Sequence, residues 1–185
     1  MRPTCPILAA CLASISAAPA AEPMDAWSGA RRPMTEADLA FRPVSDEAYS
    51  ESMSLDAEGS GGIRVSATIA ATNMGLGDST AGVRATLKIA GQTLRNSEEP
   101  DRWQRQPGAL RLHVGGTRVR GTLGEIRIEH SNKDFGFELV FRSLVPAWRP
   151  GSGRTTFGAD RHLFYEYSLP MPLARVEGRV RSGPT

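Results

Sequence analysis

From Ala48 onward, apolar and polar side chains alternate with a period of two. Ile63, Val65, Ala67, Ile69 and Ala71 share one side of a run whose other side carries Arg64, Ser66 and Thr68. Val83, Ala85, Leu87 and Ile89 alternate with Arg84, Thr86 and Lys88, and Leu110, Leu112 and Val114 with Arg111 and His113. Ile126 and Ile128 sit between Glu125, Arg127 and Glu129. The bulkiest stripe is Phe135, Phe137, Leu139 and Phe141, opposed by Glu138 and Arg142; Leu163, Tyr165, Tyr167 and Leu169 form another, opposed by His162 and Glu166. Such alternation marks half-buried antiparallel strands. Turn-forming clusters separate the runs, at GSGG 59–62, LGDSTAG 76–82, VGG 114–116, HSNKD 130–134 and RPGSG 149–153. The pattern predicts an all-β fold of about eight to ten strands joined as sequential hairpins. A meander of that size must close or double over to hide its edges, so an antiparallel up-and-down barrel is the first expectation and a β-sandwich the second.

The N-terminal third lacks this period. Residues 1–20 hold a basic Arg2, a weakly apolar stretch from Pro6 to Ile15 and the small residues Ala18-Pro19-Ala20. They predict an export signal cut after Ala20, and hence a periplasmic or secreted location. Leu8-Ala9-Ala10-Cys11 also resembles a lipobox, the less favoured alternative, in which Cys11 would carry lipid and tether the chain. Residues 21–46 are expected to be a linker with one short helix, which Thr35 and Asp38 begin and Pro43 stops. Residues 47–183 are the predicted domain.

Composition narrows the functions. There are 22 basic and 20 acidic residues, a formal charge of +2, which is too balanced for a nucleic-acid binder. Lys88 and Lys133 are the only lysines, so the basic set is almost all arginine. The only cysteines, Cys5 and Cys11, precede the expected cut, leaving the domain without a disulfide, a thiol nucleophile or a zinc–thiolate site. No nucleophile elbow, H-E-x-x-H, P-loop or dinucleotide fingerprint is present, and no catalytic residue, metal site or cofactor is predicted. His113 and His162 fall on polar strand faces and His130 in a turn beside Asp134; with Glu129 these match no recognised metal spacing. Glu98, Glu99 and Asp101 read as a solvated loop, and Arg118, Arg120 and Arg127 as an outward basic ladder without an assigned partner.

If every strand has one apolar face, those faces line a common interior. A barrel of this size is wide enough for one small ligand as well as side chains, and an apolar wall favours an apolar guest. The lining set is Ile69, Leu87, Leu112, Phe137, Leu139, Phe141, Tyr165 and Tyr167. The same residues can equally pack as solid core.

Three stretches carry a family likeness: IAATNMG at 69–75, FGFELVFRSLVPAW at 135–148 and HLFYEYSLPMPLARVEGRVRSG at 162–183. Together they resemble the first domain of the tandem lipocalin-like (calycin) proteins of the survival-factor type, a superfamily that includes the carotenoid hydratases (hydroxyneurosporene synthase-like) and AttH-like proteins. The likeness spans about three quarters of the chain, from about Glu47 to Gly183. It implies a lipocalin-like barrel that accommodates a ceramide-like or isoprenoid lipid. The family's second domain has no counterpart up to Thr185, so hydratase chemistry resting on that domain does not carry over.

The leading functional expectation is an exported module that binds a hydrophobic small molecule in its barrel, with peripheral membrane association a further expectation. The alternative is a hydratase or isomerase acting on an isoprenoid, or an inactive truncated relative. Protonating an alkene requires a carboxylic acid in an apolar setting, yet Glu125, Glu129, Glu138 and Glu166 all fall on polar faces. A third expectation is pairing through the last strand, residues 172–183, with a second copy or another chain.

Overall fold

The computed structural model describes residues 24–27, 30, 32–74, 79–100 and 102–183; the expected leader 1–20, with Cys11, lies outside them. The alternating runs become nine strands of five residues or more. They are β2 (Ser50–Glu58), β3 (Arg64–Thr72), β4 (Thr80–Ile89), β5 (Gln92–Glu98), β7 (Leu110–Val114), β8 (Thr117–Gly121), β9 (Glu125–Ser131), β10 (Phe135–Ser143) and β13 (Ala174–Ser182). Four shorter strands are added: β1 (Met24–Asp25), β6 (Trp103–Arg105), β11 (Arg154–Phe157) and β12 (Leu163–Glu166). Two 3-10 turns, η1 (Glu36–Leu39) and η2 (Ser60–Gly62), are the only helical pieces among the described residues.

Every ladder is antiparallel, and the strands form three sheets. One has four strands in the order β2-β3-β4-β5, one six in the order β13-β10-β9-β8-β7-β6, and one three in the order β1-β11-β12. The inward side chains of the two larger sheets meet in one core cluster. No ladder joins β5 to β6 or β2 to β13 among the described residues, so the hydrogen bonding does not close into a barrel. The four-stranded side of the core is lined with small residues, with Ala67 opposite Ala85 and Ala71 opposite Ala81. The six-stranded side presents Phe135, Phe137, Leu139 and Phe141, all buried. Small side chains on one sheet leave volume for large ones on the other, the condition for dense packing.

Hydrogen bonds tie the larger sheets at one end. The Glu98 carboxylate accepts from the Gly116 N–H at 2.8 Å, and the Trp103 indole donates to the Ser79 carbonyl at 2.7 Å. Asn73, buried at the end of β3, donates to the carbonyls of Val44 and Asp46 and accepts from the Ser79 N–H. It thereby holds the chain ahead of β2 against the β3–β4 turn.

Residues 21–46 are not a linker throughout. Met34, Leu39, Ala40 and Phe41 are buried with the core, and Met24 and Asp25 pair with β11. The capping expectation at Thr35 holds, since Asp38 reaches back to accept from the Thr35 N–H at 2.7 Å and its hydroxyl at 3.0 Å. The Glu36 carboxylate accepts from Leu123 N–H, docking η1 onto the β8–β9 turn. The apolar side chains of this segment recur without strand period, so alternation alone did not mark them as core.

The last strand pairs along its full length with β10, from Phe135 opposite Ser182 to Ser143 opposite Ala174. Gly178 permits this close approach, because a Cβ there would run into the Glu138 carbonyl oxygen and come within 2.9 Å of Leu139 Cα.

Candidate functional site

Six of the eight predicted lining residues, Ile69, Leu87, Leu112, Phe137, Leu139 and Phe141, lie together in the core with 0–7% of their surface exposed. Tyr165 and Tyr167 do not join them. They belong to β12 and the residue after its end, on the three-stranded sheet, and remain 49% and 47% exposed. The alternation of 163–169 described a strand with one side turned inward, whereas all four residues of β12 are exposed. A narrow sheet has too little partner surface to bury either face.

Around these tyrosines the chain displays an apolar surface. Nine of the twelve exposed large hydrophobic side chains among the described residues fall between Leu144 and Leu173. Monomeric proteins seldom expose so concentrated a set without a use for it. Trp27 packs edge-on against Tyr165, with ring centroids 5.7 Å apart, and tilts toward Tyr167 at 6.3 Å. Its backbone N–H donates to the Thr155 hydroxyl, which is fully buried. Gly151 sits so close that a Cβ would strike the Trp27 carbonyl, and its φ of +51° also favours glycine. On the other side of the small sheet, Arg154 lies 4.0 Å from the Phe164 ring centroid and bonds Glu166. Trp148 and Leu169 exchange backbone hydrogen bonds, while Ala147 and Met171 beside them pack on the main core. The aromatic surface is therefore continuous with the apolar interior.

A buried Asp38–Arg149 ion pair at 2.8 Å anchors this region to η1. Burial alone would raise the Asp38 carboxyl, but hydrogen bonds from Thr35 and Arg32 and the nearby Arg149 charge outweigh it and hold the group well below its ordinary range.

The histidines divide three ways. His113 is half-buried on the outer face of the six-stranded sheet, and His162 is exposed beside Asp160. His130 is not in a turn. It lies in β9, buried, with Nδ1 paired to the Thr117 hydroxyl at 2.8 Å and Nε2 to the Asn132 amide at 3.0 Å. Burial lowers its pKa below the ordinary 6.5, against the pull of the Glu98 charge. Glu98, expected in a solvated loop, instead ends β5 opposite the buried Val83, on the inner side. It was missed as an inward acid because the run Ser97-Glu98-Glu99 carries no alternation to place it in a strand. Its two oxygens already accept from Asn96 and Gly116, so it forms a satisfied polar tie between sheets. No group of three His, Cys, Asp or Glu side chains among the described residues is placed to hold a metal ion. No helix among them is long and apolar enough to cross a membrane.

Along β13, Arg175, Glu177, Arg179 and Arg181 put charge on the outer strand, a pattern that discourages edge-to-edge pairing.

These features define an all-β protein of antiparallel sheets with an aromatic surface beside its core. No family model matches the chain, and no curated protein or solved structure matches it.

Proposed function

We propose that this chain is an exported, lipocalin-like binding module for a hydrophobic, lipid-like small molecule. The ligand is taken at the aromatic surface of the three-stranded sheet, with Tyr165, Tyr167 and Trp148 as its main contacts. The single observation that carries the reading is the concentration of exposed apolar side chains between Leu144 and Leu173. The sequential antiparallel meander and the resemblance in three sequence stretches support the lipocalin-like frame. In this reading Ile69, Leu87, Leu112, Phe137, Leu139 and Phe141 are the wall behind the site rather than its contact surface. Aromatic side chains with one apolar body and one polar tip suit a ligand that is partly wet and partly dry. Each methylene covered there contributes about 0.8 kcal/mol before the cost of association.

The test is native mass spectrometry of the protein after incubation with a mixed lipid extract, followed by titration of the retained class using tryptophan fluorescence. A defined mass excess is expected. The double variant Tyr165→Ser/Tyr167→Ser should weaken binding at least tenfold while its thermal midpoint stays within a few degrees of the parent. A protein that takes up nothing from the extract, or a folded double variant with unchanged affinity, overturns the reading.

A further inference from the structure

The outer face of the six-stranded sheet carries a charge arrangement that the hydrophobic-ligand reading does not use. Arg111 stands directly opposite Arg120, and Arg120 directly opposite Arg127, so three guanidinium groups occupy one row across β7, β8 and β9. Neighbouring strands are about 4.8 Å apart, so this row spans about 10 Å at the backbone. One row further along, His113 lies opposite Arg118. The side chains of this face line a groove of about 320 Å³. On the outer face, four arginines (Arg111, Arg118, Arg120 and Arg127) and one glutamate, Glu129, line it, an excess of three positive charges.

Like charges directly opposite one another destabilise a sheet. Several arginines elsewhere on this fold are matched with carboxylates: Arg179 with Glu138, Arg154 with Glu166, and Arg142 with both Glu125 and Glu177. In the row itself Arg127 is held by Glu125 at 2.7 Å and Arg120 reaches Glu129 at 3.4 Å, whereas Arg111, and Arg118 beside the row, make no ion pair among the described residues. Arg111 and Arg118, without a carboxylate, and the loosely held Arg120 leave three guanidinium groups on one face free to take an external counter-charge. On the β10–β13 side, Glu138 and Glu177 are paired with Arg179 and Arg142, so the charge there is balanced within the sheet. The positive area is thus about three strands wide, too short a track for a long anionic polymer and suited to a compact one. A single carboxylate has one charge and two oxygens and satisfies one guanidinium fork. The forks of Arg111, Arg118 and Arg120 on one groove match a ligand with several phosphate groups.

We propose that the outer face of β7–β9 is a binding site for a soluble oligophosphate, held by Arg111, Arg118 and Arg120 with Arg127 and His113 beside them. The site is independent of the aromatic surface and stands whether or not a lipid binds there.

The experiment is isothermal titration calorimetry of the purified protein with sodium tripolyphosphate, and with orthophosphate for comparison, at low and at moderate salt. Saturable one-to-one binding is expected, at least tenfold tighter for tripolyphosphate than for orthophosphate and weakened by salt. Arg120→Gln should weaken it at least tenfold, Glu129→Gln should tighten it severalfold, and Arg84→Gln on the exposed face of β4 should leave it within twofold. Without ligand, Arg120→Gln should have a thermal midpoint equal to or above the parent's, since it relieves repulsion; with ligand only the parent should gain. The double variant Tyr165→Ser/Tyr167→Ser should bind tripolyphosphate unchanged, which separates failure here from failure of the lipid reading. Absence of saturable binding, equal losses in Arg84→Gln and Arg120→Gln, or binding confined to phosphatidic acid vesicles with none to tripolyphosphate would each overturn the proposal.

Discussion

Asp38 shows how a single carboxylate can be both costly and necessary. It and Arg149 are each more than nine-tenths removed from solvent at the side chain, and Arg149 Nε has no hydrogen-bond partner among the described residues. Removing one partner of a buried pair leaves the other charge uncompensated, which typically costs about 3–5 kcal/mol. Asp38→Asn should therefore lower unfolding free energy by about that amount in denaturant titration, together with the lost cap on Thr35. Because the folded-state pKa is depressed, the contribution is complete above the ordinary carboxylate value of 3.8 and fades as pH falls from there through the folded value. His130 works with the opposite charge type. Its folded form is held neutral by burial, so the unfolded chain binds a proton first as pH is lowered. Stability is complete above about 6.5 and declines below it, and His130→Gln should flatten that slope. Denaturant midpoints measured at pH 7.5 and pH 5.5 check this; equal slopes for parent and variant would remove His130 from the account.

At the scale of elements, strand β13 depends on one residue with no side chain. Gly178 faces Leu139 across the ladder, and a methyl group there meets the β10 backbone. Gly178→Ala should push β13 outward and cost about 1–3 kcal/mol, as overpacking of a close contact does. Hydrogen exchange should rise at least tenfold through Ala174–Ser182 while β9 keeps its protection through pairing with β8. Unchanged exchange in β13 would mean that the sheet absorbs the methyl group. The small sheet is an element of another kind. Its three short strands are anchored to the body through the neighbouring Asp38–Arg149 pair.

For the whole molecule, two open sheets share one core and leave two surfaces of different character. The aromatic surface next to Leu144–Leu173 is apolar, whereas the outer face of β7–β9 is cationic. Binding at the first should depend little on salt, because it follows buried apolar area. Binding at the second should weaken as ionic strength rises, because its charges are exposed and screened. Titrating lipid and tripolyphosphate on the same preparation at two salt concentrations separates them, and a shared salt response would mean that one surface serves both.

Much of the strand content was legible in the sequence. The stripes at 63–71, 83–89, 110–114, 126–128 and 135–141 became β3, β4, β7, β9 and β10 with the expected sides buried, because a period of two has only one way to hide its apolar half. The outward position of Arg118, Arg120 and Arg127 followed from the same rule. What alternation cannot carry is which strand lies beside which. That Arg111, Arg120 and Arg127 stand in one row is a matter of register between hairpins. Met34, Leu39 and Phe41 became core because the sheets leave space for them. Glu98 and His130 reached the inner side because β5 and β9 run further than their apolar residues do. Tyr165 and Tyr167 stayed exposed because a three-stranded sheet has too little surface to cover them. Local pattern decides which side of a strand is dry; only the pairing of distant strands decides what that side meets.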